Sequence, residues 1–219
     1  MKISAVIPTI NEAETIGAVI NGLKSIENIE IIVVDSNSND GTPDIARSLG
    51  ATVINEPRKG YGRAYKTGIE RASGDIIVCL DGDNTYPYKM VRPLIDILLI
   101  DNVDFISCDR MTLRSKSNYT SLHRFGNMVL NLSIKLLFNF SLKDSQSGMW
   151  VFKKDLYNKM GYLGDGMSFS EDIKIEAIRH GKLIEIPIVY GVRLSRPKLR
   201  TWEDGFKNLF HLFVKRVRV

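Results

Sequence analysis

The arrangement of apolar residues constrains this chain most. Short β-branched runs bounded by turn residues alternate with stretches in which apolar residues recur every three or four positions. The runs cover Ile3 to Pro8, Ile29 to Asp35, Ala51 to Asn55, Asp75 to Leu80 and Asp104 to Cys108, and they read as strands. Between the first two, Glu12 to Ile26 places Ala13, Ile16, Val19, Ile20 and Leu23 at helical spacing, with Asn11 and Glu14 set as a capping-box-like start. Another helix is expected with GTPDIARSLG. Strands that are apolar almost throughout must be covered on both faces, which is the environment of a parallel sheet. Right-handed crossovers then gather the strand carboxyl ends on one edge, where ligands of open α/β sheets bind.

The second half changes character. Tyr119 to Phe140 carries Leu122, Phe125, Val129, Leu132, Leu136 and Phe140 on one helical face, Gly164 to Phe169 is a loop leading into a helix from Glu171 to His180, and LIEIPIVY reads as a further strand. TWEDGFKNLFHLFVKRVRV then puts Trp202, Phe206, Leu209, Phe210, Phe213 and Val217 on one helical face, with Lys207, Lys215 and Arg218 elsewhere around it. That is the pattern of an interfacial helix, although a helix docked on its own domain shares the periodicity. From Arg193 onward there are eight Lys or Arg against two acids, a balance of +6, whereas residues 1–192 carry 22 basic and 23 acidic groups. The basicity belongs to the tail, and it suits an anionic membrane surface, phosphates or nucleic acid. The economical partition is one domain over 1–192 with a basic loop and amphipathic helix over 193–219.

No apolar run approaches the roughly 18 residues needed to span a bilayer; the best candidate, PLIDILLI, contains Asp96. The N-terminus lacks the pattern of a secretory signal. Cys79 and Cys108, the only cysteines, sit in apolar stretches where buried reduced thiols are expected. A cytoplasmic protein, peripheral on the cytoplasmic face of a membrane, is the expectation.

The sharpest chemical signal is DGDN, Asp81 to Asn84, directly after the apolar strand IIVCL. Two carboxylates one residue apart can offer hard oxygens to Mg²⁺ or Mn²⁺; the same residues also suit a solvent-facing acidic turn. The glycines of KGYGRAYKTG lack the spacing and position of a dinucleotide fingerprint, so no NAD site is expected. They fit a close backbone approach before a helix.

Taken in order, VIPTINEAE, VVDSNSNDGT, EPRKGYGRAYKTGIERASGD and DGDN make the chain resemble family 2 glycosyltransferases of the GT-A fold, and within them the dolichyl-phosphate mannose and glucose synthases. The resemblance covers nearly the whole chain and implies a Rossmann-like, mostly parallel sheet flanked by helices. It implies that Pro8, Ile10 and Glu12 line a nucleotide pocket, with Asp35 bonding the base, Asn37 near the ribose, Lys59 beside the donor phosphates and the DxD residues Asp81, Gly82 and Asp83 at a metal-bridged diphosphate. Glu12 also suits the first turn of a helix for dipole reasons alone. Ile10 and Asn37 depart from the aromatic and acid common in relatives, which leaves uracil and guanine both open.

On the acceptor side, DSQSGMW resembles the D-x-x-SG segment of the synthases and brings in Ser147, while Arg110 and Arg124 match arginines that hold phosphate with their planar fork. VRLSRPKL resembles the R-x-x-x-SKL segment, assigning Arg193 and Lys198 to phosphate, with Arg-Pro in place of Gly-Ser. The resemblance thus implies inverting transfer of a sugar to dolichyl or another polyprenyl phosphate, with no role for nucleic acid. One feature points elsewhere: Glu171 and Asp172 resemble the pair that serves as general base where a sugar hydroxyl attacks. A phosphate monoester, mostly ionised at neutral pH, needs no such base. A nucleotidyltransferase would want a glycine-rich, lysine-bearing loop after the first strand, which VIPTINEAE lacks.

Overall fold

The computed structural model describes residues 1–113, 121–193 and 201–218, with the side chains of 121–122 and 201–204 left aside. Seven strands form one sheet: β1 (Ile3–Thr9), β2 (Ile29–Asp35), β3 (Thr52–Asn55), β4 (Ile76–Cys79), β5 (Phe105–Asp109), β6 (Trp150–Lys153) and β7 (Leu183–Pro187). Their order is β3-β2-β1-β4-β6-β5-β7, parallel except for β6, which runs antiparallel between β4 and β5. The helices are α1 (Ile16–Leu23), α2 (Thr42–Ser48), α3 (Tyr61–Arg71), α4 (Val91–Ile100), α5 (Ser121–Phe138), the short α6 (Lys154–Tyr157), α7 (Phe169–His180) and α8 (Thr201–Arg218).

Alternation along the strands builds two cores. Ile3, Ala5, Ile7, Ile31, Val33, Ile76 and Val78 pack under α1 and α4, while Val6, Ile32, Val34, Ile77 and Cys79 pack under α3 and α7. Both cysteines are buried and unpaired, as expected. The glycines of the KGYGRAYKTG stretch serve packing. A Cβ on Gly68 would collide with Val6 and Val34, and one on Gly62 with Gly164 and Phe169. Gly60 adopts φ 144°, a conformation that side chains disfavour.

Two points differ from the sequence reading. β6 was not among the expected strands, since WVFK carries a single β-branched residue, Val151. Helix α1 starts at Ile16, not Glu12. Its expected capping box does not form, because the Asn11 N–H donates to Ser38 Oγ and the Asn11 Oδ1 accepts from the Asn39 N–H, while Asn11 sits at φ 50°. The apolar stripe of α5 is turned outward: Phe125, Met128, Leu132 and Leu136 are exposed, and Asn127, Leu130 and Ile134 face inward.

Helix α8 likewise turns apolar residues outward. Phe206, Phe210, Phe213 and Val217, at spacings of four, three and four, are 53–89% exposed. Its other face, Asn208, Leu212 and Lys215, is buried. Leu212 joins Leu130, Ile134, Leu142 and Ile175 in a small third core that ties α5, α7 and α8 together. Among the described residues, no helix is long and apolar enough to cross a membrane.

Candidate active site

The carboxyl ends of β1, β2, β4 and β5 lie on one edge of the sheet, and the antiparallel β6 brings its leading loop, Asp144 to Met149, to that same edge. A cavity of about 640 Å³ opens there. Of the residues singled out from sequence, Pro8, Ile10, Glu12, Asn37, Lys59, Asp81, Gly82, Asp83, Arg110 and Arg193 line it. Asp35 does not; with Asn37 and Ser38 it borders an adjoining hollow. Its carboxylate accepts from Thr9 Oγ1 at 3.0 Å and from the N–H of Ser38 at 2.9 Å. Arg124 does not line the cavity, although His123, Gly126 and Asn127 beside it do. Ser147 is fully buried and Lys198 lies outside the described residues.

The DGDN segment is not a solvent-facing turn. Thr15 Oγ1 donates to the Gly82 carbonyl at 2.8 Å, and a Cβ on Gly82 would press on Thr9, so the turn is locked against β1 and α1. Asp83 is 3% exposed. Its Oδ1 accepts from the N–H and Oγ1 of Thr85, at 3.1 and 2.6 Å, while Oδ2 lies 3.3 Å from Arg193, whose guanidinium also donates to Glu12 at 3.0 Å. Asp81 accepts from Tyr61 and Tyr65 at 3.1 and 3.2 Å. Burial, followed by the charge of Asp83, lifts the Asp81 carboxyl to about 7 against the opposing bonds from the two tyrosines. Two carboxylates that repel each other this way suit a divalent cation. Among the described residues no cluster of three His, Cys, Asp or Glu is placed to hold a metal.

Across the cavity, Arg110 is clamped by Asp144. The Asp144 carboxylate accepts from the Arg110 N–H at 3.0 Å, Nε at 2.7 Å and a terminal nitrogen at 2.9 Å, and from Asn127 at 2.9 Å. Burial raises the Asp144 carboxyl, but the Arg110 charge and hydrogen bonds overcome this and hold it at about 2. Arg110 also lies 5.3 Å from the Tyr190 ring centre. Beneath the loop, Lys174 is fully buried and donates to the carbonyls of Asp144, Ser145 and Ser147 at 2.8–3.0 Å. Burial lowers its ammonium to about 8.

The acidic pair of α7 is fully buried and does not line the cavity. Asp172 accepts from the Gly164 N–H at 2.8 Å and meets His211 Nε2 at 2.9 Å. Glu171 accepts from Gln146 at 2.6 Å, and burial, then the Asp172 charge, pushes its carboxyl well above the usual range. Arg58 lines the cavity beside Lys59 and is forked onto Glu56. Sequence reasoning missed Tyr61, Tyr65, Thr85, Gln146, Lys174, Asn208 and His211. Only the aromatic, glycine-spaced KGYGRAYKTG pattern carried a local hint of the two tyrosines.

A family model described as glycosyl transferase family 2 matches residues 4–161. An uncharacterized protein of Methanocaldococcus jannaschii is 32% identical over 99% of this chain and 93% of its own length. A low-salt glycan biosynthesis hexosyltransferase of Haloferax volcanii is 31% identical over 97% of this chain, which spans only 53% of that relative. A dolichyl-phosphate hexose transferase of the same organism is 29% identical, over 93% of this chain and 89% of its own. Among solved structures, glucosyl-3-phosphoglycerate synthase from Mycobacterium tuberculosis with Mn²⁺ and UDP-glucose superposes at TM-score 0.78, 22% identity, covering 100% of this chain and 79% of that one. This last likeness concerns the GT-A fold.

Proposed function

The chain belongs to glycosyl transferase family 2, and from that premise we propose that it transfers a sugar, with inversion, from a nucleotide diphosphate-sugar to dolichyl or another polyprenyl phosphate at a membrane surface. The donor half of the site is the edge formed by Ile10, Asn37 and Lys59, with Asp35 in the adjoining hollow and the Asp81–Asp83 pair at the diphosphate. Mg²⁺ or Mn²⁺ held by Asp83 and Asp81 would neutralise the departing nucleotide diphosphate. Thr85 fixes one oxygen of Asp83, which leaves the other directed at the cavity side where Arg193 lies. Arg110 and Arg193 hold the acceptor phosphate in line against its repulsion by the donor.

The observation that carries the lipid-phosphate reading is the fate of the acidic pair. Glu171 and Asp172 are buried behind Gln146, bonded to Gln146, Gly164 and His211, and do not line the cavity, which favours a nucleophile that is already ionised. Relatives named dolichyl-phosphate hexose transferase and dolichol-phosphate mannosyltransferase support the same class. Membrane attachment draws support from the outward apolar stripes of α5 and α8 and from exposed Lys207, Arg216 and Arg218. Inserting one large apolar side chain contributes about 1.5–3 kcal/mol, and each basic residue near anionic lipid about 1 kcal/mol, enough for reversible binding without a spanning helix.

The test is radiolabelled transfer from GDP-mannose, UDP-glucose and UDP-N-acetylglucosamine, with Mn²⁺, to polyprenyl phosphate and in parallel to soluble glycans. Label in the organic phase supports the reading. Label in glycan alone overturns the acceptor and restores a hydroxyl mechanism.

A further inference from the structure

Helix α8 meets the rest of the chain through Leu212 in the third core and through the polar Asn208, His211 and Lys215, while Phe206, Phe210, Phe213 and Val217 point away. The chain of contacts on the inner face is continuous. Asn208, 5% exposed, donates from Nδ2 to Gln146 Oε1 at 3.1 Å; Gln146 Nε2 donates to Glu171 at 2.6 Å; and the Gln146 N–H donates to Asp144 at 3.2 Å. Asp144 in turn clamps Arg110. One turn on, His211 meets both oxygens of Asp172 at 3.0 and 2.9 Å, and Asp172 also holds the loop before α7 through the Gly164 N–H. A further turn on, the buried Lys215 pairs with Glu176 at 2.7 Å. Asn208 and Gln146 line the same cavity as Arg110, and so does Gly205, where an added Cβ would meet open space.

We propose that Asn208 and His211 are positioning residues for the acceptor: seated on Gln146 and Asp172, they make α8 a wall of the acceptor half of the site rather than an appendage to it. The arrangement is directional. The Gln146 amide can donate to Glu171 only in the flip that presents its oxygen to Asn208 Nδ2, so Asn208 sets the orientation of a cavity-lining side chain two residues from Asp144, which holds Arg110. The donor half, built from Asp81, Asp83, Asn37 and Lys59, shares none of these contacts. Loss of the α8 contacts therefore acts on the acceptor and spares the donor.

This inference rests on the glycosyltransferase reading of the site, and its test is made on whichever acceptor the wild-type protein uses. Asn208→Ala, Asn208→Asp, His211→Ala and His211→Gln are prepared in the full chain. For each, acceptor KM, kcat, the Kd of the cognate nucleotide diphosphate with Mn²⁺ and the melting temperature are measured. Asn208→Ala and Asn208→Asp should raise acceptor KM about tenfold, equivalent to about 1.4 kcal/mol, with nucleotide Kd unchanged within about twofold. His211→Gln, which keeps a donor for Asp172, should recover most of what His211→Ala loses. Acceptor KM and kcat unchanged in both alanine variants would overturn the proposal. So would a parallel weakening of nucleotide binding, the mark of a helix that merely stabilises the whole domain. Should His211→Ala not fold, the two Asn208 variants decide alone. If the wild type labels soluble glycan and not lipid, the lipid acceptor fails while the same KM comparison still reads the role of α8.

Discussion

Replacing Asp144 with Asn removes one charge from the most heavily bonded carboxylate of the site while preserving its shape. In the native protein that carboxylate takes three donors from Arg110, one from Asn127 and one from the Gln146 N–H. Its carboxyl is held at about 2 against an ordinary 3.8. A difference of nearly two units is worth about 2 kcal/mol of folding stability at neutral pH. The variant also leaves the Arg110 guanidinium, 9% exposed, without its counter-charge, and breaking a buried pair from one side costs about 3–5 kcal/mol. We expect a loss of about 3 kcal/mol, or roughly 6–12 °C in melting temperature for a domain of this size. Because the folded-state pKa is depressed, the stabilisation is complete above the unfolded value of about 3.8 and disappears as pH falls through about 2. The gap between wild type and variant in urea titrations should therefore be constant near neutrality and narrow in acid. Asp96→Asn, which breaks a surface pair with Arg92, is the control and should shift stability by less than about 0.5 kcal/mol. A loss for Asp144→Asn under about 1 kcal/mol, or a gap that does not change with pH, would refute the claim that Asp144 anchors Arg110 by charge.

Asp83→Asn should remove Mn²⁺-dependent nucleotide binding and lower turnover by more than tenfold, about 1.4 kcal/mol of barrier; turnover above a tenth of wild type would contradict the metal-ligand role. Asp172→Asn, which keeps an acceptor for the Gly164 N–H, should retain more than about a tenth of turnover on polyprenyl phosphate, whereas a hundredfold loss with normal donor binding would mark it as a general base. Phe210→Ser combined with Phe213→Ser should abolish flotation with anionic vesicles at low salt without lowering the melting temperature, since both side chains are exposed. Wild-type protein that stays soluble with such vesicles would end the membrane proposal.

How much was legible in the sequence follows the range of the forces involved. Strands β1 to β5 and β7 were readable because their apolar runs are local and bounded by turn residues. β6 was not, since WVFK carries a single β-branched residue. The capping box at Asn11 and Glu14 failed because Ser38 and Asn39, remote in sequence, engage the N–H and the Oδ1 of Asn11 that it would have used. On the acceptor side, Arg110 and Arg193 were found by resemblance and line the cavity, while Arg124 matched the pattern yet does not.

The order of strands and helices, the DGDN carboxylates at a strand end, and the existence of apolar stripes on α5 and α8 were all determined by the sequence alone, because periodicity and turn chemistry act between near neighbours. Only the tertiary structure decided what those features face. A stripe of Phe206, Phe210, Phe213 and Val217 predicts an amphipathic helix with equal force whether the stripe lies in the core or outside. The choice was made by Asn208, His211 and Lys215 finding Gln146, Asp172 and Glu176 across separations of 62, 39 and 39 residues. The same packing buried the acidic pair Glu171 and Asp172 against Gln146, Gly164 and His211 and outside the cavity lining, a placement no local pattern could announce.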